Sequence, residues 1–193
     1  MKKKSTIITV IVMLLVGAAI VAAYFIVSAR KNKENYEGGN RTEVDILLEK
    51  DLDKSYPLTS REVVKFYSRI LKCYYNKKLT QEQLEDLLDQ MRKLFDEEFL
   101  AENPRDSHLM ELQEEISDFA ARKCQITSYQ VEQNGNIVTW TDEGKEYARV
   151  IASYTEKEDR HYLKVYEEFI LRKDSGGKWK ILGWYLTDAD AMK

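Results

Sequence analysis

The sequence has few of the residues from which metal and redox sites are built. It contains two cysteines and two histidines in 193 residues, and none of them lie at the spacing of metal ligands. A structural zinc site needs four such ligands in closely spaced pairs, so we do not expect one. Acidic residues are numerous, but none of their runs alternates around a glycine as a calcium loop requires. The sequence predicts neither a metal nor another cofactor.

Cys73 and Cys124 are the two cysteines of the sequence, so they can form at most one disulfide with each other. Outside a cell they could form one disulfide, because disulfides persist in oxidising compartments. Two buried free thiols are an equally good interpretation, since an unpaired cysteine behaves as a small core residue. The sequence leaves both possibilities open.

Charge is absent from Ser5 to Ala29, and no acidic residue precedes Arg30. This apolar run of 25 residues exceeds the roughly 20 that cross a hydrocarbon core as a helix. It predicts a basic head and a transmembrane signal anchor over residues 1–30, with cleavage as the alternative. Basic residues flank both ends, but a short basic head before a single span usually stays in the cytoplasm. We therefore expect a single-pass cell-membrane protein whose main domain lies outside the cytoplasm.

A clustered positive surface, which nucleic-acid binding requires, is also missing. The chain after residue 30 carries 33 acidic and 26 basic residues, and the basic clusters only flank the apolar run. We therefore expect no nucleic-acid partner. Residues 31–58 are predicted to be a polar tether followed by an apolar docking segment. Residues 59–193 are long enough for one domain with its own core.

The pattern of apolar residues in this domain changes from helical to strand-like near its middle. Three helices are predicted, two behind capping boxes that begin at Thr59 and Thr80 and one behind Asn103-Pro104. Tight turns are predicted at Asn134-Gly135 and at Asp174–Gly177. Five strands are predicted, over residues 125–132, 136–140, 146–155, 161–173 and 178–187. Helices followed by an antiparallel sheet indicate an α+β domain whose helices cover one face of the sheet.

The segment Gly176–Trp184, GGKWKILGW, resembles the last strand of many domains in the nuclear transport factor two-like superfamily. The resemblance covers roughly Thr59 to Asp188 and implies a cone, in which three helices pack into a curved antiparallel sheet. With its predicted anchor, the chain also resembles an uncharacterised group of small bacterial membrane-anchored proteins. Its layout is similar to the inner-membrane bridge component of type IV secretion systems, which joins one span to a domain of this fold.

Enzymes of this superfamily place an Asp, His or Tyr inside the cone, and no catalytic residue is identified here by that pattern. Glu167 and Glu168 point to opposite faces of their strand, and we expect the inward carboxylate to pair with Arg149 on the neighbouring strand. The other candidates either fill the core or line a pocket. The full set of pocket candidates is Tyr67, Tyr74, Tyr154, Tyr166, Trp184, Glu167 and Glu168.

The leading hypothesis is a non-enzymatic interaction or scaffold module, held at the membrane, whose partner is another envelope protein or a second copy of itself. A cone that holds a small apolar ligand, as a sensor or carrier, is the alternative, because tyrosine and tryptophan are abundant. An isomerase-like or hydrolase-like enzyme is the third hypothesis, and it requires an inward carboxylate or histidine.

Overall fold

The structure, a computed structural model, describes residues 41–189. Contacts divide the chain into two units, Met1–Thr42 and Glu43–Lys193, and the second contains all the described helices and strands. The predicted anchor over residues 1–30 and most of the tether lie outside the described residues. Within residues 41–189, no helix is both long and apolar enough to cross a membrane.

Five helices precede the sheet in this part of the chain. They are α1 (Glu43–Glu49), α2 (Ser60–Asn76), α3 (Gln81–Arg92), α4 (Glu97–Glu102) and α5 (Arg105–Ala121). Both predicted capping boxes are confirmed, since the hydroxyls of Thr59 and Thr80 accept amide hydrogen bonds from the first turns of α2 and α3. In return, the side chains of Glu62 and Gln83 accept the amides of the two capping residues. Both helices therefore begin where the sequence predicts.

The third predicted helix begins differently. Pro104 precedes α5 instead of occupying its first turn, and no side chain caps the helix. The Asn103 amide group donates to the carbonyl oxygen of Phe99 at 2.8 Å, so this side chain closes the short helix α4 instead. The unpredicted α4 begins at its own capping residue, Asp96, whose carboxylate accepts the amide of Glu98 at 3.0 Å.

The sheet has five antiparallel strands in the order β1-β3-β4-β5, and β2 also pairs with β3. The strands are β1 (Cys124–Val131), β2 (Val138–Asp142), β3 (Lys145–Glu158), β4 (His161–Lys173) and β5 (Trp179–Thr187). Each predicted strand is present, with its ends shifted by at most three residues. An α+β domain of helices and an antiparallel sheet is therefore confirmed.

The tight hairpin predicted at Asn134-Gly135 is wrong. Asn134–Asn136 forms a short 3-10 turn, and both β1 and β2 pair with β3 instead of with each other. They act as one interrupted strand along the 14 residues of β3. The hairpin lies at Glu143-Gly144, where φ is 47° and 78°, as a type I′ turn requires. The predicted turn at Asp174–Gly177 is confirmed, with φ 76° at Gly177.

One face of the sheet, here called the inner face, packs against α2. The ring of Tyr67 on α2 contacts the rings of Phe169 and Trp184, and the hydroxyl of Tyr154 lies 2.9 Å from Oγ of Ser68. The opposite side is called the outer face. Cys73 and Cys124 are both buried and have free thiols.

The segment that joins α3 to α4 covers part of the free edge of β5. The amide of Asp96 donates to the carbonyl oxygen of Ile181 at 2.8 Å, and the amide of Ile181 donates to Leu94 at 2.8 Å. The Asp96 carboxylate also receives two hydrogen bonds from the Arg172 guanidinium, at 2.5 and 3.1 Å. This bidentate, largely buried ion pair ties α4 to the sheet.

Candidate functional site

Aromatic rings fill the inner face where α2 crosses it. The rings of Tyr67 and Trp184 contact each other and also those of Phe95 and Phe169, with ring centroids 5.3 to 6.2 Å apart. Tyr154 is buried nearby, and its hydroxyl is satisfied by Ser68. Among the predicted pocket residues, Tyr67, Tyr154 and Trp184 therefore contribute to the core in this arrangement. Tyr74 is also buried, and burial followed by the Asp89 carboxylate on α3 raises its pKa.

Glu167 is the inward glutamate of the predicted pair. It lies opposite Ala152 on β3 and shares the inner face with Phe169, and its Oε2 atom is buried without a hydrogen-bond partner among residues 41–189. Burial, followed by the carboxylates of Glu115 on α5 and Glu156 on β3, raises the pKa of Glu167 to about 7. At neutral pH this carboxyl group can therefore either donate or accept a proton.

The expected ion pair between the inward glutamate and Arg149 is wrong. Glu167 lies opposite Ala152, three residues from Arg149, so the two side chains point to different faces of the sheet. Arg149 lies opposite Ile170 on the outer face, and its Nε atom is buried with no hydrogen-bond partner in the described part of the chain. The sequence could show that the two glutamates diverge, but not which face the helices cover.

The remaining candidates lie on the outer face. Glu168 is buried, and its carboxylate accepts a hydrogen bond from the hydroxyl of Tyr185 on β5. Tyr166 lies two residues before Glu168, on the same face of β4. The Lys164 ammonium lies 5.1 Å from the centre of the Tyr166 ring. The seven predicted residues therefore do not form one pocket, because the sheet separates Tyr166 and Glu168 from those on the inner face.

Sequence reasoning missed a group of exposed apolar residues at the ends of two neighbouring strands. Tyr162, Leu163, Tyr185 and Leu186 are between 53% and 73% exposed, and they lie where β4 begins and β5 ends. We call these four residues the strand-end strip. Pleat alternation places the two tyrosines on the outer face and the two leucines on the inner face. From Tyr162 to Glu168, which lies opposite Tyr185, the strip extends roughly 20 Å along β4 at about 3.3 Å per residue.

The backbone beside this strip is also open. β5 pairs with β4 only from Tyr166 onward, where its last residue, Thr187, lies opposite. On the side away from β3, residues 161–165 therefore have no strand neighbour within the described chain. An edge of this kind presents unpaired amides and carbonyl groups to solvent. Apolar side chains on both faces and a free strand edge are the features that an extended polypeptide uses when it adds a strand to a sheet.

The chain belongs to the family described as Domain of unknown function (DUF6715), whose model matches residues 1–184. The comparison with curated proteins found no match. Among solved structures, the chain is similar to CagV, a VirB8 homolog of the T4SS from Helicobacter pylori strain 26695, with 11% sequence identity and a TM-score of 0.36. The likeness covers 66% of this chain and 98% of that one.

Proposed function

We propose that the chain is a non-enzymatic protein-interaction module whose strand-end strip binds an extended segment of a second protein chain. The observation that carries the proposal is the open edge of β4 at residues 161–165, flanked by exposed apolar side chains on both faces. A strand added there would satisfy the free amides and carbonyls of the edge. Its alternate side chains would cover Tyr162 on one face and Leu163 on the other.

The composition of the edge supports this proposal. Sheets that stay unpaired usually protect their edges with charged residues, proline or a bulge. Residues 161–165 contain a single charged residue, Lys164, and its ammonium lies over the ring of Tyr166 instead of extending from the edge. The partner segment that fits is accordingly apolar on both faces and carries few charges.

We further propose that the domain is a cone of the nuclear transport factor two-like type, held outside the cytoplasm by the predicted anchor over residues 1–30. Helices precede the sheet and cover its inner face. The strand register shifts between Ile126 and Ser128 and between Ile170 and Leu171. Irregularities of this kind bend a sheet, which supports a curved sheet around the helices.

Photo-cross-linking in native membranes tests the docking site. A photoreactive amino acid replaces Leu163 in the full-length protein, and the matched control replaces Met110, which is 68% exposed on α5. We expect a discrete cross-linked species from position 163 and none from position 110. The double variant Leu163→Thr, Leu186→Thr, probed from position 162, should lose that species, because threonine keeps the strand but removes the apolar contact. Equal cross-linking from both positions, or none from either, would refute the proposal.

Glu167 favours a second candidate function, a proton-transfer reaction. A buried carboxyl group whose pKa is about 7 suits a general acid or base at neutral pH. Aromatic rings occupy the adjoining inner face, so a substrate would have to enter beside Leu163 and Leu186. The variant Glu167→Gln separates the two candidates, since it would abolish turnover but leave the cross-link at position 163 intact.

A further inference from the structure

A second feature lies on the outer face around the end of β1, and it borders the open edge of β4 at Lys164. Three buried polar atoms there have no hydrogen-bond partner in the described part of the chain: Glu132 Oε2, Arg149 Nε and Ser153 Oγ. Glu132 is only 3% exposed and Ser153 only 1%. Buried polar groups in proteins are nearly always satisfied, so unsatisfied ones leave hydrogen-bonding capacity for a polar ligand or for water.

Two cavities lie against Glu132 and Ser153, and Arg149 lines neither of them. The first, of about 310 Å³, includes Glu132, Asn136 and Tyr166 in its lining. The second, of about 360 Å³, includes Ser153 and Thr155. Both are also lined by Gln130 and Lys164, so they are neighbours along one groove. Each has the volume of a small ligand site, for which about 300 Å³ is the lower bound.

The lining of this outer groove is polar but balanced in charge. One carboxylate, from Glu132, and one ammonium, from Lys164, are accompanied by side-chain amides and hydroxyls. Amides and hydroxyls each both donate and accept hydrogen bonds. Because the two charges oppose each other, the groove does not favour a ligand that carries a net charge. A neutral ligand whose groups both donate and accept hydrogen bonds matches the lining. The Oε1 atom of Glu132 accepts the Ile151 amide at 2.7 Å, so the backbone fixes the direction of its other oxygen.

We propose that the outer groove binds a neutral saccharide of two or more linked rings. Sugar hydroxyl and acetamido groups donate and accept within the same few ångströms, as the side chains of the groove do. Two cavities that share Gln130 and Lys164 fit consecutive rings of a linear chain. This site does not depend on the docking function proposed for the strand-end strip.

Titration of the full-length protein with two neutral trisaccharides, chitotriose and cellotriose, tests the assignment by ligand-observed NMR. We expect at least one of them to bind with a Kd on the order of 1 mM or tighter. The variant Gln130→Ala should weaken that binding about fivefold, the effect of one lost hydrogen bond. Gln130 is exposed, so this variant keeps the fold, and Met110→Gln on α5 is the matched control. A second variant, Glu132→Gln, retains an oxygen for the Ile151 amide and should also weaken binding.

The proposal is overturned if neither trisaccharide binds at about 10 mM, or if Gln130→Ala leaves the affinity unchanged. It is also overturned if a photoreactive residue at position 130 captures the same partner protein as position 163, because the groove would then belong to a protein interface. The double variant Leu163→Thr, Leu186→Thr must leave saccharide binding intact, and Gln130→Ala must leave the cross-link at position 163 intact. Failure of one proposal is thereby distinguished from failure of the other.

Discussion

The charge of Glu167 should make the domain less stable as pH rises. Its pKa in the folded protein is about 7, against an ordinary value of 4.5, because the side chain is desolvated beside two other carboxylates. Between these two values the folded state keeps a proton that the unfolded chain releases. The contribution of Glu167 to the free energy of unfolding is therefore greatest below pH 4.5 and falls as pH rises towards 7. Above pH 7 it changes no further.

The size of the effect follows from the difference between the two pKa values. One unit corresponds to about 1.4 kcal/mol, so ionisation of Glu167 costs about 3 kcal/mol at pH 8. Glutamine has the same shape and cannot ionise. The variant Glu167→Gln should consequently match the parent protein below pH 4.5 and exceed its free energy of unfolding by about 3 kcal/mol at pH 8.

Urea unfolding of residues 43–193, which form a compact unit with its own core, measures this difference from pH 4 to 8. Glu114→Gln is the control, since Glu114 is exposed on α5 and should change stability by less than about 0.5 kcal/mol. Two curves that stay parallel over the whole pH range would show that Glu167 titrates normally, and the reasoning about its burial would then be wrong.

Three further substitutions, one of them a control, test the packing that positions the sheet. Asp96→Ala leaves the buried guanidinium of Arg172 without its bidentate partner and should cost about 3 to 5 kcal/mol in urea unfolding. Glu98→Ala removes only the exposed partner of Arg172 and should cost less than about 1 kcal/mol, so similar losses would contradict the assigned roles. Tyr154→Phe removes the hydrogen bond to Ser68 and should cost about 1 kcal/mol, and an unchanged thermal midpoint would show that this bond contributes nothing.

Local sequence signals predicted the individual elements well. The capping boxes at Thr59 and Thr80 act within one turn of helix, so the sequence alone contains all of their partners. Strand pairing was harder to predict, because Asn134-Gly135 has the composition of a hairpin turn in any context. Whether such a turn joins two paired strands depends on the long β3, which accommodates both β1 and β2 on one side.

The candidate sites show the same division between local and tertiary information. Strand alternation correctly separates Glu167 from Glu168, because the pleat is a property of the backbone. The exposure of Leu163 and Leu186 was not predictable, since it depends on where α2 and α5 stop covering the inner face. The unsatisfied atoms of Glu132 and Ser153 likewise arise from residues that are distant in sequence and meet only through strand register.

Amide hydrogen exchange along β4 tests strand addition most directly. Exchange is compared between isolated residues 43–193 and the full-length protein in its native membranes. The account predicts that the edge-facing amides of residues 161–165 exchange rapidly in the isolated domain and become protected in the membrane. The exchange rates of the amides of α5 should be the same in both settings. Equal, rapid exchange of these amides in both settings would contradict the claim that a partner strand pairs with this edge.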